Sequence, residues 1–449
     1  MGSDFTDKVD TLFDNIRVFF SDIRAKVISV LSFDNYKNKG KPKKLLQNEE
    51  KAPKLDTRKY ISLFSGRPFY NNHNKTPAFI NLKLQSVMHL ATPQLAQWHG
   101  RKMESHFVKT IDGYVLTLHR IQNYPISSNN RTVLLHHGLL GSSTDWILLG
   151  PIKSLPYILE GAGYDVWITN ARGNYYSRGH LTITVDFPEY WNFSWQEMGQ
   201  YDLPAVIDYI RRIKNSTELI DFIGHSMGAT ALLVLLSTAP RYNDYLRLAI
   251  LLAPLAFMSN VQGPLKELSS LPQEIIKTMG TEEFLSSRKV PSWLAHRYCR
   301  GLKTFCSNPL SFLSGDHQKK NCDLGFIARL LYNVPAGASS NTILHYIQLI
   351  KSSKFHKFNN SSSEFPVKDI TLPIVLFSSS EDWLATTPDV LKLYFSIQNP
   401  IDHYIIRNRN VSHTDFVWGS EASVLVFSKI VKYLEVGLSW NMLKTNSVY

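Results

Sequence analysis

Residues 221–236 read DFIGHSMGATALLVLL and set a serine between two glycines, where two hydrophobic patterns meet. Leu219 to Ile223 is an apolar run of buried-strand length, and from Ala229 onward the chain reads as a helix hydrophobic on most sides. Gly224-His225-Ser226-Met227-Gly228 fits G-x-S-x-G, a motif with a mechanical meaning. A nucleophile on a very tight strand-to-helix turn projects its oxygen above a sheet, and only glycine two positions either side escapes a clash with that turn. The stretch predicts a strand, a sharp turn carrying Ser226, and a buried helix.

A serine hydroxyl is a poor nucleophile at neutral pH; it needs a histidine base, and the histidine needs a carboxylate to orient it. On this kind of turn both follow the serine in the chain. Asp382 ends the apolar strand pattern of LPIVLFSSSED (372–382), at the C-terminal end where sheet-borne sites gather. His413, in RNVSHTDFVWG (409–419), lies on a loop after the next strand. Glu381 and Asp389 are alternative acids. His403 is an alternative base, but it opens a strand and reads as structural. A tetrahedral intermediate also needs two N–H donors for its oxyanion. Met227, just after the nucleophile, supplies one. Leu139, in the turn of VLLHHGLLGSSTDW (133–146), supplies the other. Asp145 and Trp146 in that loop read as packing. His136 and His137, adjacent on a strand, point to opposite faces and do not suit one metal ion. Gly161-Ala162-Gly163 precedes a strand and lacks the third glycine of a dinucleotide loop, so it reads as a helix stop. No metal or cofactor is expected.

The chain has 449 residues, 44% of them hydrophobic, enough for a large core. Its three cysteines, Cys299, Cys306 and Cys322, are too few for a disulfide scaffold. No run of about 18 apolar residues spans a bilayer. Asp4, Asp7, Asp10 and Asp14 interrupt what a secretory signal would need at the N-terminus. The net charge of +12 is concentrated there: residues 1–85 hold 16 Lys+Arg against 9 Asp+Glu. Lys37, Lys39, Lys41, Lys43 and Lys44 cluster without the aromatic interleaving of a nucleic-acid reader, so a membrane surface is the expected partner and nucleic acid is not.

Residues 1 to about 33 carry Phe5, Val9, Leu12, Phe13, Ile16 and Phe19 at amphipathic-helix spacing, followed by a Lys- and Asn-rich linker to about residue 60. From about residue 86 strands and helices alternate, with strands expected at Tyr114–Arg120, Val133–His136, Asp165–Thr169, Leu219–Ile223, Leu248–Leu252, Ile374–Ser378 and His403–Ile406. That alternation predicts an α/β fold with a mostly parallel sheet. Residues 257–365 break the rhythm. They are helical in tendency, without a clear strand, and read as a cap inserted between core segments 86–256 and 366–449. The run NNSSSE reads as loop.

With these parts located, the chain resembles the acid lipase family, the gastric and lysosomal type of α/β-hydrolase. The resemblance runs from about Gln85 to Val436 through DGYVLTLHRI, HHGLLGSSTDW, GYDVWITNARGNYYSRGH, MGQYDLPAVIDYI, GHSMG, NVPAGASSNTILHYIQ, EDWLATTPDV and HTDFVWG. It implies a Ser226, Asp382, His413 triad, favours Asp382 over Glu381, and implies hydrolysis of neutral-lipid esters, triacylglycerol or steryl ester, without a cofactor. Three features depart from the family. Met227 stands where Gln is usual, which removes a side-chain hydrogen bond but keeps the backbone donor. Only Cys306 falls on a family cysteine, leaving Cys299 as its suggested partner. A long basic arm replaces the usual secretory signal, although sequons at Asn192 and Asn410 fit a secreted ancestry. Competing readings are a non-catalytic lipid binder, which would need a damaged triad, and a thioesterase or peptidase on the same fold.

The arm itself begins Met1-Gly2-Ser3-Asp4-Phe5-Thr6, matching the M-G-x-x-x-[ST] pattern for myristoylation of Gly2. One acyl chain binds membranes marginally unless a second signal such as a polybasic patch assists. The arm is therefore expected to hold the protein on the cytosolic face of a membrane or lipid droplet. The alternative is the secreted or lysosomal location of most of the family.

Overall fold

The computed structural model describes residues 90–121, 131–214, 217–270, 281–286, 324–408 and 411–445. The amphipathic arm, Gly2, the lysine cluster, all three cysteines and Asn410 lie outside the described residues.

In chain order the strands are β1 (Glu104–Lys109), β2 (Tyr114–Ile121), β3 (Thr132–His136), β4 (Asp165–Ile168), β5 (Gly179–His180), β6 (Ile220–His225), β7 (Leu246–Leu252), β8 (Glu283–Ser286), β9 (Ala336–Ser339), β10 (His356–Lys357), β11 (Asn360–Glu364), β12 (Ile374–Ser379) and β13 (Pro400–Ile406). One sheet runs β1-β2-β4-β3-β6-β7-β12-β13, with β5 beside β2. From β4 to β13 every neighbouring pair is parallel, whereas β1, β2 and β5 pair antiparallel at one side. Every residue of β3, β4, β6 and β12 is buried, as expected of parallel strands covered on both faces.

Helices make the crossovers. α1 (Thr92–Trp98) precedes the sheet, α2 (Leu155–Gly161) joins β3 to β4, α3 (Leu203–Ile213) leads into β6, and α4 (Met227–Thr238) joins β6 to β7. α5 (Leu324–Asn333) and α6 (Ser340–Ser352) lie between β7 and β12, α7 (Thr387–Ser396) joins β12 to β13, and α8 (Ser428–Thr445) ends the described chain. α3 buries Leu203, Val206, Ile207 and Ile210, a single stripe at helical spacing. α4 instead buries Met227 through Ser237 on all sides, which is why its sequence shows no polar face. α2 stops as its sequence predicts: Gly163 takes φ +89 and its N–H returns to the Glu160 carbonyl.

The sheet was legible in outline, with differences at the ends. β6 begins one residue after Leu219 and runs on to His225, directly beneath the serine. β13 starts at Pro400, so His403 lies within the strand and not at its start. Two expectations for residues 257–365 are corrected. The region is not without strands, for β8 pairs with β9 and β10 with β11, and NNSSSE is not loop, since Asn360–Glu364 is β11. These strands are two to five residues long and, apart from Phe284 and Leu285 of β8, built of small or polar residues, so none produces a long apolar run. The β10–β11 turn is made by Asn359 at φ +56, a left-handed position that asparagine tolerates.

Specific contacts dock this region on the flanking core segments. The His345 ring of α6 stacks on Trp195 at 3.6 Å, donates from Nε2 to the His356 carbonyl (2.8 Å), and takes the Ser194 hydroxyl on Nδ1 (2.9 Å). Burial holds this imidazole down at about 3, so it stays neutral in that role. Arg178 pairs with Glu283 of β8 at 2.5 Å. Asp389 of α7 accepts from Ser259 N (3.2 Å), Asn260 N (2.8 Å) and Asn260 Nδ2 (2.9 Å), tying the chain that leaves β7 to the helix after β12.

Candidate active site

β6 delivers Ser226 to its joint with α4 in a backbone conformation of φ +52, ψ −114, which L-residues rarely adopt and which functional sites store as strain. The turn needs its glycines for space. A Cβ on Gly224 would lie 2.8 Å from Ala229 N, and one on Gly228 would lie 2.6 Å from the His136 carbonyl oxygen. Gly228 thus lets the start of α4 touch the end of β3. The Ser226 N–H is held by the Leu252 carbonyl at the end of β7 (2.8 Å), so two neighbouring strands fix the turn.

The loop after β12 carries Asp382 and the loop after β13 carries His413, both at the same end of the sheet as Ser226. His413 Nε2 lies 2.8 Å from Ser226 Oγ and its Nδ1 lies 2.8 Å from Asp382 Oδ2. Asp382 Oδ1 accepts the Leu384 and Ala385 N–H groups at 2.8 and 2.9 Å, which leaves Oδ2 for the ring. A carboxylate only accepts, so the neutral ring carries its proton on Nδ1 and offers its Nε2 lone pair to the hydroxyl. Ser226, Asp382 and His413 are 3%, 2% and 5% exposed, which shields their hydrogen bonds from competing water.

The turn after β3 reaches the serine through Gly138, where a Cβ would sit 3.3 Å from Ser226 Cβ. His137 braces that turn: its Nδ1 donates to the Gly138 carbonyl (2.7 Å) and its Nε2 accepts the Ala171 N–H (3.0 Å). Burial lowers this imidazole to about 3, keeping the accepting nitrogen unprotonated. The Leu139 and Met227 N–H groups donate to no other group among the described residues. Met227 opens α4, and first-turn N–H groups have no acceptor within their own helix.

The remaining sequence candidates lie elsewhere. Glu381 is half-buried beside Ser380 Oγ at 3.3 Å, Asp389 serves the docking contacts above, and His403 Nε2 meets Ser378 Oγ at 2.8 Å.

Asp145 has a more demanding environment than its sequence suggested. Its carboxyl is buried, one oxygen has no hydrogen-bond partner, and no ion pair reaches it among the described residues. Its other oxygen would lie 2.1 Å from a Cβ on Gly141. Burial pushes the group up to about 8, only partly offset by the Ser142 and Asp145 N–H groups. The folded protein therefore binds a proton that the unfolded chain releases near 3.8, and stability falls as pH rises from about 4 to about 8. Asp145→Asn keeps the shape and removes this loss, so its advantage in thermal midpoint over wild type should grow from pH 4 to pH 8. Parallel melting curves across that range check it.

A serine-bearing turn between strand and helix, followed in the chain by an aspartate and then a histidine beyond the C-terminal ends of parallel strands, has the arrangement of an α/β-hydrolase. Residues 131–397 match the alpha/beta hydrolase fold and residues 92–150 match a partial alpha/beta-hydrolase lipase region. The chain is 37% identical over 358 residues to Lipase 3 of Drosophila melanogaster, covering 75% of this chain and 90% of that protein. It is 34% identical over 361 residues to lysosomal acid lipase/cholesteryl ester hydrolase of Homo sapiens, covering 76% and 90%. Gastric triacylglycerol lipase of Rattus norvegicus gives the same identity and coverage. The chain belongs to the acid lipase family and is a lipase, a hydrolase of carboxylic ester bonds. Among the described residues no helix is long and apolar enough to cross a membrane.

Proposed function

We propose that Ser226, His413 and Asp382 are the catalytic triad of this lipase and that its substrates are neutral-lipid esters. The observation that carries the proposal is the pair of 2.8 Å contacts from the two nitrogens of His413, one to each partner. Ser226 Oγ attacks the ester carbonyl carbon as its proton passes to His413 Nε2, and Asp382 stabilises the resulting imidazolium. The carbonyl oxygen becomes an oxyanion, received by the Leu139 and Met227 N–H groups. Collapse breaks the C–O bond, and the alcohol leaves with the proton from His413. Water then enters by the same route in reverse, giving a fatty acid and free Ser226. This machinery needs only side chains and backbone donors, so no cofactor enters the proposal.

Residues 257–365 are proposed as a cap that screens the acyl chain. Two relatives are named for cholesteryl ester hydrolysis and for triacylglycerol lipolysis, and these are the two candidate substrates. A panel of emulsified triacylglycerol, cholesteryl ester, acyl-CoA and peptide tests the reading: turnover is expected on one or both of the first two. Turnover of acyl-CoA or peptide in preference to both would overturn it.

The arm is proposed as a membrane or lipid-droplet tether through Gly2 acylation and the lysine cluster, on the support of its sequence. Relatives named lysosomal and gastric fit the secreted or lysosomal alternative instead. Fractionating cells that express wild type, Gly2→Ala and a chain starting at residue 85 separates the two. The tether predicts membrane-bound wild type and soluble variants; three like distributions, or a secreted and glycosylated wild type, contradict it.

A further inference from the structure

His225, the residue immediately before the serine, takes no part in the mechanism above. Its side chain is nevertheless buried at the meeting point of three segments. Its Nε2 lies 2.9 Å from the main-chain carbonyl oxygen of His413, 188 residues away in sequence. A carbonyl can only accept, so the proton of the neutral ring is on Nε2. The opposite edge of the ring faces the turn after β3, where a Cβ on Gly138 would lie 2.9 Å from Nδ1 and 3.3 Å from Cε1. One imidazole at the end of β6 therefore touches both the loop that holds the base and the turn that approaches the nucleophile.

We propose that His225 is a positioning residue for ester hydrolysis, its Nε2–H anchoring the backbone of His413 so that the catalytic ring stays between Asp382 and Ser226, and its other edge setting the Gly138 turn. The inference rests on the triad reading. Residues 411 and 412, just before His413, belong to no helix or strand, and a hydrogen bond to His413's own carbonyl fixes the backbone at the base itself. Glycine at 138 follows from the same contact, since any side chain there would displace the ring.

The ring must be neutral to serve. It lies 5.2 Å from the His413 ring, and a second positive charge at that distance would oppose formation of the imidazolium on which catalysis depends. The titratable groups facing it are His413, Asp382 and His137. Burial first, and the His413 charge second, hold His225 down at about 3.

His225→Leu keeps bulk and removes the donor, whereas His225→Gln keeps a side-chain N–H that can reach the same carbonyl. On a soluble short-chain ester the Leu variant should lose about 10- to 100-fold in kcat with KM within about twofold of wild type, the scale expected when a catalytic group is misplaced. The Gln variant should recover most of that loss at an equal thermal midpoint. A Leu variant with wild-type kcat, or Leu and Gln variants equally impaired, overturns the proposal. Should the Leu variant not fold, nitrogen-15 histidine spectra of the wild type, with the His225 signal identified by its absence in the Gln variant, still decide. A neutral Nε2–H tautomer from pH 5 to 8 supports the proposal; an Nδ1–H tautomer, or titration near 6.5, overturns it. Ser226→Ala in the same assay keeps the two claims apart. Residual activity there removes the triad reading itself, while an inactive Ser226→Ala beside a fully active Leu variant removes only the role of His225.

Discussion

Ser226→Ala is expected to abolish turnover of every ester the wild type accepts, with kcat lower by about 10⁴- to 10⁶-fold, and to leave the far-UV spectrum and thermal midpoint close to wild type. The loss is large because, in the proposed mechanism, the hydroxyl oxygen becomes the acyl carrier, and the proposed donors at Leu139 and Met227 stabilise an oxyanion only if a nucleophile creates one. The fold should survive because the fixed features of the turn are backbone ones. Ser226 N to Leu252 O, and the close approaches of Gly224 and Gly228, remain when Oγ is deleted. Binding to a lipid emulsion should persist, so a pull-down on triacylglycerol emulsion separates lost chemistry from lost structure.

Asp382→Asn is the second severe change, with kcat expected to fall about 10⁴-fold, the size known for the same substitution in a serine-protease triad. The reason lies in how the carboxyl is held. Oδ1 receives two backbone N–H groups, from Leu384 and Ala385, so an amide at this position keeps its oxygen there and turns its NH2 toward His413. Nδ1 must then accept, which moves the ring proton to Nε2, the nitrogen facing Ser226 Oγ. A protonated Nε2 cannot take the serine proton. Glu381→Gln, one residue away and directed to Ser380, should change kcat by less than about threefold. Comparing kcat/KM of the two variants on one substrate checks the assignment, and a larger loss at Glu381 would reverse it.

The readable parts of this molecule are those whose chemistry is local in sequence. The nucleophile turn was legible because its strand, its two glycines and its buried helix are contiguous, and each constrains the next. Asp382 and His413 were legible because parallel strands end on the site side and both follow apolar runs. β1 was not: in ESHFVK only Val108 is fully buried, and an edge strand with alternate residues in solvent gives no apolar stretch. β9 to β11 were missed for the related reason that small and polar residues pair there, and β8 because its two apolar residues, Phe284 and Leu285, are too few to form an apolar run. The roles of His225 and His345 depend on partners 188 and 151 residues away, and nothing near either histidine signals them. Asp145, in SSTDW, reads as packing, but that it packs as a buried carboxyl with one oxygen unpartnered could not be read from the sequence. The segment that carries it, Ser143–Ile147, is packed by elements distant in sequence, α1, α2, α5 and Asp415–Trp418.

The central claim is that Ser226 is the nucleophile, and the most direct measurement is covalent. The full-length protein is treated with a serine-directed organophosphonate, digested, and the modified peptide sequenced by mass spectrometry. One adduct per chain is predicted, on Ser226, with labelling lost in Ser226→Ala and strongly slowed in a His413→Ala variant. An adduct on any other residue, or continued lipolysis by fully labelled protein, would contradict the account.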